Sequence, residues 1–227
     1  MSEFISLPIA DGTSMDAFVA RPDTATRPCP GVIVLQEAFG VNAHIQDVAS
    51  RFAAHGYLAV APELFHRTAP GFQGDYADFR SAMPHVQAMT TEGQQLDLQA
   101  AHAWLTLQQT SRTVAAGFCL GGRAAVLAAA TLPLAAAASF YGGSMLALRE
   151  QFPAIAAPLL LVWGDRDQHI PPTQRAEVAT LLRQHQKAFV ECSFSHAGHG
   201  FFCDQRPSFH PYSARLAWKL LLEFLAS

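Results

Sequence analysis

Short apolar runs alternate along the chain with longer stretches in which apolar residues return every three or four positions, the periods of strand and helix. Two runs near the start, Phe4 to Ile9 and Met15 to Ala20, flank Asp11-Gly12 and predict a hairpin. Gly31 to Gln36 is nearly continuous in apolar residues, as a strand covered on both faces would be. A helix is expected from about Ala43 to His55, and a strand from Tyr57 to Ala61. Residues 91–109 predict a helix whose apolar face carries Leu96, Ala100, Ala103, Trp104 and Leu107. Further strands are expected near 112–117, 136–141, 158–163 and 188–194, and a closing helix from Tyr212 to Leu225. The sum is an α/β fold of about eight mostly parallel strands with helices on both faces.

Glu63 to Thr90 breaks this alternation and is long for a strand-to-helix connection. The pattern leaves two readings open: a segment that overhangs a site at the carboxyl side of the sheet, or a surface helix with a long lead-in loop.

Composition narrows the class. With 227 residues, half of them hydrophobic, the chain suits one domain over 1–227 with a sizeable core. The net charge of −3 is spread along the chain, and no basic cluster supports nucleic-acid binding. Ala124 to Tyr141 runs 18 residues without a charge, near the length of a membrane span. It is alanine-rich and interrupted by Pro133, and reads better as a helix, a turn and the buried strand Ala136 to Tyr141. No membrane association is expected. The first residues, Met1 to Asp11, lack the basic start and apolar run of a signal peptide. The cysteines at 29, 119, 192 and 203 show no Cys-x-x-Cys spacing, so reduced thiols and a cytoplasmic location are expected.

Chemistry concentrates at three strand ends. Gly117-Phe118-Cys119-Leu120-Gly121-Gly122 follows the apolar run Val114-Ala115-Ala116 and outlines a nucleophile elbow, with cysteine where serine usually stands. The helix expected next would point its N-terminus at the thiol, where its dipole favours a thiolate. The bland alternative, a buried packing cysteine, has no use for the flanking glycines. In this fold an acid and then a histidine follow the nucleophile. Pro158 to Trp163 ends in Gly164-Asp165-Arg166-Asp167, and the strand over 188–194 leads into Ser195-His196-Ala197-Gly198-His199-Gly200. A histidine between two glycines suits a loop that brings an imidazole to the thiol. Cys119, Asp167 and His199 form the expected triad, with Asp165 and His196 as competitors for the acid and the base.

These segments resemble a known family. Gln36-Glu37-Ala38-Phe39-Gly40-Val41-Asn42, the cysteine elbow, Phe140-Tyr141-Gly142, the Asp167 segment and Ala197-Gly198-His199-Gly200-Phe201 are similar to the dienelactone hydrolases (carboxymethylenebutenolidases) of the α/β-hydrolase superfamily. The likeness runs from about Phe4 to Leu225 and selects Asp167 over Asp165 and His199 over His196. It implies a hydrolase acting on a small ester or lactone, with no cofactor. It also implies that Glu37 contacts the nucleophilic thiol and takes its proton when substrate enters, and that the backbone N–H groups of Ala38 and Leu120 form the oxyanion hole. Tyr141, Phe201 and Arg206 are expected to line the substrate pocket.

One departure bears on the substrate. The family enzyme that opens dienelactone holds the substrate carboxylate with two arginines, one of them four residues after the catalytic histidine. Here that position is Cys203, and the next arginine downstream is Arg206. The natural substrate and the oligomeric state are left open.

The sequence also invites two other classes. His196 and His199, at i and i+3, invite a metal reading, but no His-Glu-x-x-His or comparable set accompanies them, and no metal is expected. A binding or redox-sensing protein on the same fold would need only an oxidisable Cys119, not an ordered acid and histidine behind it.

Overall fold

The computed structural model describes residues 1–23 and 28–226. Eight strands form one sheet: β1 (Ser2–Pro8), β2 (Ser14–Ala20), β3 (Gly31–Leu35), β4 (Leu58–Pro62), β5 (Thr113–Phe118), β6 (Ala136–Phe140), β7 (Leu159–Gly164) and β8 (Phe189–Phe194). Their order across the sheet is β1-β2-β4-β3-β5-β6-β7-β8. The pairs β1–β2 and β2–β4 are antiparallel, whereas β3–β4, β6–β7 and β7–β8 are parallel. This is the mostly parallel sheet expected of the sequence. Among the described residues six α-helices accompany it: α1 (Ala43–Ala54), α2 (Phe79–Ala88), α3 (Thr91–Leu107), α4 (Leu120–Thr131), α5 (Pro172–Gln184) and α6 (Pro211–Ala226). The chain divides into two compact units, Met1–Ala115 and Ala116–Ser227.

In the first unit, β3 and β4 are buried along their whole length, and α1 packs Ile45, Val48 and Phe52 towards the strands. Asn42 starts α1 by accepting the Ile45 N–H, and Thr90 starts α3 by accepting that of Gly93. Helix α3 departs from expectation. Its buried positions are Gln94, Asp97, Leu98, Ala101 and Leu105, while Leu107 is 78% exposed. The apolar periodicity chose the wrong face because it counted Asp97 as an outward residue. Asp97 is buried with partners: Arg67 donates through both terminal nitrogens at 2.8 and 2.9 Å, and His66 Nε2 lies 3.0 Å away. A paired carboxylate can occupy a core position that an unpaired one cannot. Within 63–90 the structure shows turns and then α2, a helix behind a long lead-in loop.

The second unit holds β6 and β7, buried throughout, and the partly exposed β8. Helix α4 is buried on nearly every side, which its run of alanines permits, and it packs against β6. Helix α6 lies against β6 and β7. The sequence reading missed two elements here, α5 and a 3₁₀ segment over Met145–Ala154. Both carry few buried apolar residues, so their periodicity is faint. Among the described residues no helix is long and apolar enough to cross a membrane.

Candidate active site

The elbow is built by small residues. Cys119 caps the N-terminus of α4 with φ 52° and ψ −112°, a conformation that costs an L-residue of order 1–3 kcal/mol. The turn is tight enough that a Cβ on Gly117 would overlap the Gly121 carbonyl. A Cβ on Gly122 would stand 2.8 Å from Gly142 Cα and from Ser139 Oγ. The turn is held by Cys119 N–H donating to Phe140 O at 3.0 Å and Gly122 N–H donating to Cys119 O at 3.0 Å. Strain of this kind, fixed by its surroundings, holds the thiol at the end of β5 and at the mouth of a helix dipole.

Two further strand ends bring the other groups. After β7, Asp167 lies buried at 8% exposure, and its Oδ1 accepts the backbone N–H groups of His169 at 2.8 Å and Ile170 at 3.3 Å. Its Oδ2 meets His199 Nδ1 at 2.7 Å, and His199 Nε2 meets Cys119 Sγ at 3.1 Å. Acid, imidazole and thiol form an unbroken chain. The His199 loop is tied to the Asp167 loop by Arg166 N–H donating to Ala197 O at 2.9 Å. A Cβ on Gly164 would collide with that same Ala197 backbone, so the close approach of the two loops requires glycine there.

The competitors have other partners. Asp165 bonds Arg175 at 2.9 Å and the Ser193 hydroxyl, and these hydrogen bonds, Ser193's first, hold its carboxyl below the usual range. His196 Nδ1 accepts from Arg166 Nη2 at 2.9 Å. With His196 turned to Arg166 and His199 to Asp167 and Cys119, these two histidines do not share a metal position.

Electrostatics separate the triad members. Burial opposes charge on His199, yet its hydrogen bonds to Asp167 and Cys119, together with their negative charge, push its pKa up to about 10. Burial likewise opposes charge on Asp167, but the bond to His199 and the His169 N–H hold its carboxyl below the ordinary range. The arrangement favours an imidazolium beside the Asp167 carboxylate, and a thiolate formed at Cys119 would face that positive charge.

The remaining expected residues fall in three places. Leu120 is the first residue of α4, where N–H groups have no acceptor within the helix. Tyr141 is fully buried at φ 38°, its ring centred 5.2 Å from that of His199 and 5.5 Å from that of Phe201. Phe201 is itself fully buried, against Phe194 as well. Arg206 is half-buried and lays its guanidinium over Gly200, the residue after His199. Glu37 and Ala38 lie in the first unit just beyond β3, both buried. One neighbour of the triad went unnoticed in the sequence: His169, whose ring centre stands 5.1 Å from that of His199. Its only sequence signal is that it lies two residues after the acid.

Known proteins place this arrangement. Residues 15–227 match the model of the dienelactone hydrolase family. A Pseudomonas putida protein named "Carboxymethylenebutenolidase" is 32% identical over 231 residues, covering 100% of this chain and 97% of its own. An Escherichia coli (strain K12) protein named "Putative carboxymethylenebutenolidase" is 37% identical over 233 residues, covering 97% of this chain and 85% of its own. A crystal structure from Klebsiella pneumoniae subsp. pneumoniae MGH 78578, described as a "Putative Dienelactone Hydrolase", superposes with a TM-score of 0.91 at 32% identity, over 100% of this chain and 98% of that one. With sequence, fold and elbow in agreement, the chain belongs to the dienelactone hydrolase family, a family of hydrolases.

Proposed function

We propose that this protein hydrolyses a small ester or lactone through an acyl–Cys119 intermediate. The observation that carries the reading is the continuous Asp167–His199–Cys119 chain on an elbow strained at the thiol. The Cys119 thiolate attacks the substrate carbonyl, forming a C–S bond, and the carbonyl oxygen takes the negative charge. The Ala38 and Leu120 N–H groups are its donors, a role that rests on the family resemblance. As the tetrahedral intermediate collapses, the C–O bond breaks and His199 gives its proton to the departing alkoxide. A water molecule then transfers a proton to His199 and attacks the thioester, and the carboxylic acid leaves as Cys119 returns to thiolate. Asp167 holds the imidazole in the tautomer and orientation that both transfers need. Tyr141, Phe201 and Arg206 are assigned to the walls of the substrate pocket, and the protein to the cytoplasm as a single domain that uses no cofactor.

By resemblance, Glu37 takes the thiol proton as substrate enters and so forms the thiolate that begins this scheme, a role that can be separated from that of His199. Mass spectrometry of the protein quenched during turnover of a small ester should find one acyl group, on Cys119, and none in Cys119→Ala. An adduct elsewhere, or full turnover by Cys119→Ala, removes the nucleophile assignment. Glu37→Gln should fold and acylate more slowly with deacylation little changed. An unaltered acylation rate would leave His199 as sole activator of the thiol.

A further inference from the structure

Two rings pack against the catalytic imidazole. Tyr141, fully buried, meets it edge to face with centroids 5.2 Å apart and planes at 63°. His169, exposed to solvent, meets it with centroids 5.1 Å apart and planes at 80°. Both arrangements lie in the favourable range for aromatic pairs. Tyr141 is fixed by the core, being fully buried with its N–H bonded to Val162 O at 2.8 Å. His169 is fixed differently. Its side chain makes no hydrogen bond or ion pair among the described residues, but its backbone N–H donates to Asp167 Oδ1 at 2.8 Å. The carboxylate that orients His199 therefore also carries the ring that flanks it.

We propose that His169 is a positioning residue, the solvent-side wall that keeps the His199 imidazole in place while Cys119 is acylated. The need for such a wall follows from the chemistry, and the inference rests on the acyl-transfer reading above. In the free enzyme two hydrogen bonds fix the ring, one at Nδ1 to Asp167 and one at Nε2 to Cys119. Acylation turns the thiolate into a thioester, which is a far poorer acceptor, and the second bond is lost. The ring is then held by Asp167 at one nitrogen and by what touches its faces and edges, at the moment when it must line up a water molecule. A small misplacement at that stage is costly, because proton transfer and attack depend on near-attack geometry. Tyr141 and His169 are the two rings in contact with it, one fixed in the core and one at the surface. The second half of the reaction depends on His169 more than the first.

The test separates the two halves. Wild type, His169→Ala and His169→Phe are mixed with a small ester under single-turnover conditions, and the acyl–Cys119 species is followed by rapid quench and mass spectrometry. Acylation should be nearly unchanged in His169→Ala, while decay of the adduct slows by about tenfold. In the steady state, kcat and KM should then fall together with kcat/KM preserved, a split that a general loss of stability does not give. His169→Phe keeps a ring at the position and should restore deacylation towards the wild-type rate. Equal decay in wild type and His169→Ala overturns this role alone, as does a His169→Phe adduct that decays as slowly as that of His169→Ala. A wild-type protein that never acylates Cys119 overturns the acyl-transfer reading and this role with it. Position 169 is exposed, so both variants are expected to fold.

Discussion

Each unit of the molecule buries an aspartate against a histidine, and only one of these pairs is arranged for chemistry. In the first unit Asp97 Oδ1 lies 3.0 Å from His66 Nε2, with the acid at 1% exposure. In the second, Asp167 Oδ2 lies 2.7 Å from His199 Nδ1, with the acid at 8% exposure. The pairs differ in what completes them. Asp97 takes the two-pronged guanidinium of Arg67, so its charge is neutralised by a cation that also bonds Asp11. Asp167 is otherwise met by two backbone N–H groups, dipoles that hold the carboxylate without cancelling its charge. That uncancelled charge supports an imidazolium. On the far side, His66 Nδ1 is buried with no hydrogen-bond partner among the described residues, while His199 Nε2 faces a thiol on strained backbone. An aspartate–histidine pair can thus be a structural unit, and the neighbouring thiol and the residual charge are what mark one of them for the proposed chemistry.

The sharpest way to break this comparison is to remove each histidine. His199→Ala should lower kcat by about 10⁶-fold and Asp167→Asn by about 10⁴-fold, following the usual inequality between a base and the residue that orients it. His66→Ala should leave turnover per folded molecule unchanged and lower only the melting temperature. Steady-state kinetics on protein whose folded fraction is known from circular dichroism decides the matter. A dead His66→Ala that is fully folded would place chemistry in the first unit, and an active His199→Ala would take it out of the second.

Removing the acid of the structural pair should show its function by the opposite sign. Asp97→Ala leaves Arg67 and His66 facing a buried position without their anion. Breaking a buried ion pair from one side costs about 3–5 kcal/mol. Chemical denaturation should report that loss with an unchanged denaturant slope, and the protein that remains folded should turn over normally. A loss well under 1 kcal/mol would mean that water and Asp11 already compensate Arg67, as at exposed pairs.

These two pairs were not equally legible in the sequence. The residues proposed as catalytic stand in short patterns with a physical requirement behind each glycine: Gly117 and Gly122 at the elbow, Gly164 where Ala197 comes close. Strands β3, β4, β6 and β7 were visible as apolar runs because burial on both faces leaves few polar positions. Helix α3 misled because a pattern of apolar residues cannot show that Arg67, thirty residues upstream, neutralises Asp97. Helix α5 buries only Val178, Ala179 and Leu182, too little to raise a period above its polar background. His169 was hidden for a related reason: its meaning lies in a ring contact with a residue thirty positions away. Local chemistry writes itself into motifs, whereas partnership across the fold does not.

The smallest expected effect concerns pH, and its sign follows from the uncancelled charge at Asp167. The pKa of His199 in the folded protein is raised from an ordinary 6.5 to about 10, so the folded state binds that proton more tightly than the unfolded chain. Stability gained this way is fully present below about pH 6.5 and is lost as pH rises through about 10. Asp167 is shifted the other way, below its ordinary 3.8, so its contribution is present above that value and is lost as pH falls through the lower folded one. Both contributions coexist between pH 3.8 and 6.5, and the alkaline limb belongs to His199. Between pH 5 and 10 the difference in melting temperature between wild type and His199→Gln should therefore move against wild type as pH rises, whichever protein is the more stable at the start, because wild type alone surrenders the histidine term. A gap that moves in favour of wild type towards pH 10 would show that the imidazole is buried neutral. Activation of the thiol would then have to wait for Glu37.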